Sequence, residues 1–446
     1  MVWDVGGRTL HCTPHPLRTI LPILLASTAL SVLLGGIASA APTDLPPAIV
    51  FDQAIAAIIS QVSTRTLEYE LAGLTGERPV VVAGSLYTIA TRYSYQTEAI
   101  SLATRYAYEQ LDRTGLAVTY HDYTWGGYRL RNVVAEKPGV VDPGEIYLIT
   151  AHLDSTVRDH PYDLAPGADD NGSGSVAVLM AARLLAPHYF AHTVRFVLFT
   201  GEEQGLQGSA AYAVASKARG EDIQGVVNLD MIAYNSNLEP VIDLYARTAV
   251  SGSLALTRIF SEVVGIYDLN LEPNRYDLPA GFPIQYSDQW SFLQWGYPAL
   301  LVIEDMDDST PAYHRITDTL STLDLGYYAD TTRAAIATIA HLSQLLPQGY
   351  LSGTIYALDT GWPLSTTVAA IAPTVHYTFT ALTDPSGGYV LPLPVGVYTL
   401  TAWPASPGHY PAMVTNVSII TDVVTVQDIG LLPWPRLYLP LTAHEG

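Results

Sequence analysis

Between Phe51 and about Leu74, apolar residues recur at helical spacing. Ala54, Ile55, Ile58, Ile59 and Val62 fall on one face, which predicts an amphipathic helix. Ile100, Ala103, Ala107 and Leu111 predict a second helix, and Leu116–Tyr120 and Tyr128–Ala135 read as strands. The next stretch has a different rhythm. The near-continuous apolar runs Glu145–Ala151, Val194–Phe199, Gly225–Leu229 and Ala299–Ile303 read as buried strands. Between and after them, Ser173–Leu185, Ser209–Ala218 and Thr331–Leu346 carry helical patterns. Strands alternating with helices predict an α/β fold: a mostly parallel central sheet flanked by helices.

Past Pro347 the long helical patterns stop. Residues 351–430 alternate apolar and polar positions (Tyr377–Ala381, Val397–Thr401, Val414–Ile420), and their turns are rich in Gly and Pro, as at Asp384–Gly388. That texture predicts a C-terminal all-β sandwich. The expected organisation is an α/β domain over residues 41–348, a sandwich over 349–430 and a tail over 431–446. The tail, with Trp434–Leu441, reads either as a short strand or as an unstructured address. No internal repeat at solenoid periods is visible.

The first 40 residues follow another logic. Arg8 and Arg18 precede an apolar stretch, Ile20 to Ile37, and Ala38-Ser39-Ala40 is a small-residue cleavage site. That order predicts a secretory signal and an extracellular protein. Cleavage would remove Cys12, the only cysteine, and with it any thiolate ligand or disulfide. No other segment is apolar for long enough to span a bilayer. The net charge of −21 argues against nucleic acid or an anionic membrane as the main partner.

The strand Thr193–Phe199 runs directly into Thr200-Gly201-Glu202-Glu203-Gln204-Gly205. Two adjacent carboxylates thus sit where a buried strand ends, the edge at which open α/β sheets bind ligands. Ionised together they repel, so a cation is expected to hold at least one of them. Four other pieces supply hard ligands, most of them just after strand ends: His152-Leu153-Asp154, Gly167–Gly174 with Asp169-Asp170, Asn228-Leu229-Asp230, and Tyr313-His314. Each alone has a bland explanation as a cap, a turn or a solvated acid. Together, imidazoles and carboxylates without sulfur suit Zn²⁺ or a similar divalent ion in a catalytic site.

In order and wording these pieces resemble the zinc aminopeptidase family of bacterial leucyl aminopeptidase type, which carries two co-catalytic metals. The resemblance runs from about Ile49 to Leu346 and includes Thr91–Ser94 and Arg131–Val134. It implies two Zn²⁺ per chain. Asp169 would bridge them, His152 and Asp230 would complete one site, and Glu203 and His314 the other. It also implies Glu202 as general base, Asp154 as the acceptor of the far N–H of His152, and a cis Asp169–Asp170 peptide. Tyr286, directly before Ser287-Asp288, is the candidate donor to the oxyanion. Glu304 reads either as a pocket acid that holds the substrate amine or as an acid at the solvent edge. Tyr234, Phe282, Tyr286 and Trp290 are candidates for an apolar side-chain pocket.

Ser352–Tyr356, Thr383–Tyr389 and Val397–Leu400 resemble carboxypeptidase regulatory-like domains of transthyretin-like sandwich type. The resemblance implies a spacer, stabilising or attachment role there, with cell-surface association through Trp403 and its neighbours as one form. The expected activity is that of a secreted zinc-dependent aminopeptidase hydrolysing N-terminal residues from peptides. Two other readings stay open: glutaminyl cyclase-like aminoacyl transfer with one zinc, and a catalytically silent surface-binding protein whose active part is the sandwich.

Overall fold

The computed structural model describes residues 48–279 and 286–435. The expected secretory signal, Phe282 and the end of the tail lie outside the described residues.

The first expected helix is two: α1 (Gln53–Ile59) and α2 (Thr64–Leu74). Asp52 caps α1 by accepting from Ala54 and Ile55, and Ser63 caps α2 by accepting from Thr66. Ser63 starts a new helix because its hydroxyl satisfies an N–H that has no partner within the helix. A short hairpin, β1 (Val80–Val82) and β2 (Ser85–Tyr87), precedes α3 (Thr97–Asp112).

Eight strands then build one sheet. They are β3 (Ala117–Trp125), β4 (Tyr128–Lys137), β5 (Asp142–His152), β6 (His192–Phe199), β7 (Asp222–Leu229), β8 (Val241–Arg247), β9 (Glu272–Leu278) and β10 (Ala299–Glu304). Their order is β3-β4-β6-β5-β7-β10-β8-β9. The four central strands β6, β5, β7 and β10 are mutually parallel, as expected. The sheet as a whole is mixed, because β3, β4 and the β10–β8 pairing are antiparallel. The β3–β4 pair is a hairpin closed between Trp125 and Tyr128, so it needs no crossover helix.

The intervening helices are α4 (Gly174–Leu185), α5 (Gln207–Arg219), α6 (Ser253–Ile266), α7 (Gln289–Leu293) and α8 (Leu325–Leu342). On one face of the sheet Ile149, Leu198 and Val227 pack with Val178 of α4, Phe260 of α6 and Ile336 of α8. On the other, Leu148, Val197 and Val226 pack with Tyr212 of α5 and Phe292 of α7. Neighbouring residues of one strand therefore serve opposite layers, and both layers are closed. Among the described residues no helix is long and apolar enough to cross a membrane.

After α8 the chain enters β11 (Gln348–Ala357) and continues through β12 (Thr366–Ile371), β13 (Phe379–Leu382), β14 (Gly388–Pro394), β15 (Gly396–Pro404), β16 (Ala412–Ile419), β17 (Val424–Val426) and β18 (Ile429–Leu431). These form two sheets, one with β14-β11-β17 and β18 on β11, the other β13-β12-β15-β16. Leu351, Ile355, Val368, Leu393, Tyr398 and Leu400 share a core between them. Tyr189 ties this core to the α/β part: its ring meets Phe379 edge-on at 5.1 Å and its hydroxyl donates to the Pro392 carbonyl.

Candidate metal centre

The parallel strands β5, β6 and β7 deliver their chemistry to one sheet edge. His152 is the last residue of β5, Glu202 and Glu203 follow β6 after Thr200-Gly201, and Asp230 follows β7. Asn132 on β4 fixes the turn after β6, accepting from the Thr200 N–H and donating to the Gly208 carbonyl. Gly201 turns with φ +72 there, a conformation that L side chains avoid.

Asp170 is the centre of the cluster. One of its carboxylate oxygens lies 3.4 Å from His152 Nε2 and the other 3.2 Å from His314 Nε2. His152 Nε2 is 3.2 Å from Asp230 Oδ1, and His314 Nε2 is 3.0 Å from Glu203 Oε2. Three overlapping donor sets result: His152–Asp170–Asp230 and Asp170–Glu203–His314, which share Asp170, and His152–Glu202–Glu203. Glu202 flanks the first, with Oε2 4.0 Å from His152 Nε2.

The one-residue difference from the sequence expectation is a correction. Asp169 does not reach the imidazoles; its Oδ1 accepts from the Ala233 N–H at 2.9 Å and its other oxygen faces the buried carboxyl of Glu304. With both acids ionised, Asp169 Oδ2 and Glu304 Oε2 would be buried acceptors without a donor, so a proton between them satisfies both. Burial accordingly raises Asp169 to about 6 and Glu304 well above the usual carboxylate range. Glu304 is thus neither a pocket acid nor a solvent-edge one. The cis peptide shifts by the same single residue, to Asp170–Asn171.

The Asp170 turn is held from several sides. The Asp318 carboxylate accepts the N–H groups of Asp169 and Asp170 at 2.9 and 3.1 Å. Asn171 donates to the Leu229 carbonyl and accepts from Gly174. At Gly167, φ +52, a Cβ would run into the Asp170 carbonyl oxygen. Arg92, fully buried, donates to the carbonyls of Leu74, Leu153, Pro166 and Gly167.

His152 Nδ1 donates to the backbone carbonyl of Asp154 at 3.1 Å, which leaves Nε2 as the lone-pair nitrogen facing the acids. The Asp154 carboxylate, expected in that role, is 3.7 Å away and works elsewhere. It accepts from Ser94 Oγ and from the Glu202 N–H, while Ser94 accepts from the Gly201 N–H.

The electrostatics show what the cluster is short of. Burial alone would lower His152 and His314; the carboxylates around them outweigh it, raising His152 well above its ordinary value and His314 to about 10. Burial raises Glu202 well above and Glu203 to about 8. Burial also opposes ionisation of Asp170, yet the hydrogen bonds to both imidazoles hold it well below the usual range. Glu203 Oε1 is buried without a partner among the described residues. Four hard carboxylates and two neutral-capable imidazoles, with an orphaned buried oxygen among them, fit divalent cations.

Beside the cluster opens a cavity of about 840 Å³, bordered by Asp170, Glu202, Glu203, Asp230 and His314 and by the apolar Met231, Tyr245, Leu301 and Ile303. Tyr286 borders it too, largely exposed, its ring 6.3 Å from that of Tyr245. Trp290, expected in the pocket, packs instead against the opposite core, and Tyr234 does not border the cavity.

Residues 132–339, a span that holds every member of the cluster, match peptidase family M28. Probable leucine aminopeptidase 1 of Trichophyton verrucosum (strain HKI 0517) is 29% identical over 52% of this chain and 62% of its own length. Leucine aminopeptidase 1 of Paracoccidioides brasiliensis (strain Pb03) is 27% identical over 57% of this chain and 67% of its own. The chain spans between about half and two thirds of the length of curated relatives it matches in sequence. Among solved structures, LapB from Legionella pneumophila is similar with a TM-score of 0.55 and 20% identity, over 68% of this chain and 78% of that one. LapA from the same organism gives 0.55 and 18% over 66% and 77%. At that identity the likeness speaks for the fold.

Within that span, sequence reasoning missed Asp288, whose buried carboxyl burial pushes up to about 7. It also gave no role to Arg92 or Ser94, although both sit in the Thr91–Ser94 piece that carries the resemblance. An Arg and a Ser beside a Pro/Gly-poor turn have no spacing signature of their own; their partners, backbone carbonyls for Arg92 and the Asp154 carboxylate and Gly201 N–H for Ser94, are not chain neighbours.

Proposed function

We propose that this chain is a secreted, metal-dependent aminopeptidase that hydrolyses N-terminal residues from peptides. The observation that carries the reading is Asp170 placed between His152 and His314, one carboxylate oxygen to each. His152 and Asp230 would hold one ion, Glu203 and His314 a second, and Asp170 both. When bound, two divalent cations, Zn²⁺ by preference, supply Lewis acidity that polarises the scissile carbonyl and brings a water's pKa towards neutrality.

The chain's own residues do the rest. Glu202 takes a proton from the attacking water on a carboxylate oxygen and returns it to the nitrogen of the departing amine, ending as it began. Its backbone N–H is anchored on Asp154, so its carboxylate is aimed by the same group that braces the turn. The acids around it favour the substrate's N-terminal ammonium. Met231, Tyr245, Leu301 and Ile303 favour an apolar side chain on the residue removed. Tyr286 is the candidate donor to the developing oxyanion, from the cavity rim. The Ala38-Ser39-Ala40 site supports export.

The test is a panel of aminoacyl-nitroanilides, with and without chelator, on the wild type and Glu202→Gln. Chelation should stop turnover, and the variant should lose about 10²- to 10⁴-fold in kcat. Unchanged turnover by Glu202→Gln would end this mechanism.

A further inference from the structure

Two arginines border the active cavity on the side of His314. Arg158 and Arg315 line it, and both also line a second cavity of about 520 Å³. The second cavity shares His314 with the first and continues past Leu164 and Ile316. Both side chains are exposed. Among the described residues neither guanidinium makes an ion pair or a hydrogen bond, although the acids Asp159 and Asp163 border the same cavity. The Arg158 N–H donates to the His314 carbonyl at 3.0 Å, so the first arginine is tied to the backbone of a cluster residue and the second is its chain neighbour.

Guanidinium is a planar donor fork matched to a carboxylate. In a chain of net charge −21, a carboxylate approaching four clustered acids is repelled unless something local receives it. Two unpaired arginines at the shared wall are that receiver. An extended residue spans about 3.3–3.6 Å, so a carboxylate one or two residues past the scissile bond stays within about 7 Å of it.

We propose that Arg158 and Arg315 are specificity-determining residues that bind a substrate carboxylate on the leaving side. The favoured substrates are then short peptides ending in a free carboxylate. This rests on the aminopeptidase reading and adds a direction to it: the peptide runs from the acidic cluster past His314 into the second cavity.

The experiment compares kcat/KM for leucyl-leucine, leucyl-leucinamide and leucyl-glutamic α-amide. The wild type should prefer the free acid over its amide by about tenfold, in line with two exposed charge pairs. The preference should shrink in 0.5 M salt. Arg158→Gln and Arg315→Gln should each bring the acid-to-amide ratio towards one through KM. Arg158→Lys should restore part of it, and Arg113→Ala, an equal charge change at the end of α3, should leave the ratio as in the wild type. A glutamyl amide handled as well as the free acid assigns the site to an acidic second side chain, and one handled like the neutral amide to the chain end. Equal rates for acid and amide in the wild type, or a ratio unmoved in both glutamine variants, would overturn the proposal while leaving the aminopeptidase reading intact. Absence of any N-terminal residue release would overturn both.

Discussion

Asp169 and Asp170 are neighbours in the chain and face different partners. Asp170 reaches both imidazoles, while Asp169 turns to the Ala233 N–H and the buried Glu304 carboxyl. The two acids therefore differ in what an amide does to them. Asp169→Asn keeps an oxygen for Ala233 and offers an N–H to Glu304 in place of the shared proton, so it should fold normally and keep turnover within about tenfold of the wild type. Asp170→Asn removes the charge on which the two donor sets that share it depend. It should bind less than a full complement of metal and fall to about a thousandth of wild-type turnover or below. Metal content by elemental analysis together with nitroanilide kinetics checks both, and the reverse pattern would return the central role to Asp169.

That one-residue difference shows where legibility stopped. The buried strands β5, β6, β7 and β10 were readable because apolar runs ending in acids have a periodic signature. The positions of His152, Glu202, Glu203 and Asp230 were readable with them, since each sits at the end of such a strand or a few residues past it. Asp170 sits in a turn between elements, where no period says which of two adjacent acids points inward; the hydrogen bonds of Asp318 and Asn171 decide it. β9 was missed for a related reason. β9 reads Glu-Pro-Asn-Arg-Tyr-Asp-Leu, an edge strand whose polar residues face solvent, so little apolar alternation survives. The α1–α2 break was missed because the apolar positions run on through it while Ser63 supplies a cap.

Arg92 holds four carbonyls from three separate segments, and burial lowers its pKa only to about 10, so it stays charged at neutral pH. Arg92→Met would leave the Leu74, Leu153, Pro166 and Gly167 oxygens without donors and take a buried cation from among the acids. The expected loss is about 3–5 kcal/mol in chemical unfolding. Arg92→Lys keeps the charge but cannot fork to carbonyls on two sides, and should fall between the two. A loss below about 1 kcal/mol for Arg92→Met would show that the carbonyls find other donors.

Ser94 links Asp154 to the turn of the paired glutamates, donating to one and accepting from the Gly201 N–H. Ser94→Ala orphans both partners. Turnover should drop by about ten- to a hundredfold, with metal bound more weakly in a chelator competition, because Asp154 also anchors the Glu202 N–H. The stability cost should stay near 1–3 kcal/mol. Full activity in Ser94→Ala would mean the Glu202 turn is held well enough by Asn132 alone.

Glu221 gives a pH signature separable from the metal centre. It lies at the base of the sheet, accepting from Arg195 and Arg219, with its side chain only 14% exposed. Burial pushes its carboxyl up, and the two guanidiniums outweigh that and hold it at about 2, below the model-peptide value of 4.5. A depressed acid binds fewer protons folded than unfolded. Its contribution is therefore fully present above about pH 4.5 and fades as pH falls through the folded value near 2. Glu221→Gln should be less stable than the wild type by about 1–3 kcal/mol at pH 7, and the gap should close between pH 4.5 and 2. Urea unfolding of both proteins across that range reads it directly. A gap that stays constant with pH would mean the loss comes from packing rather than from the charge on Glu221.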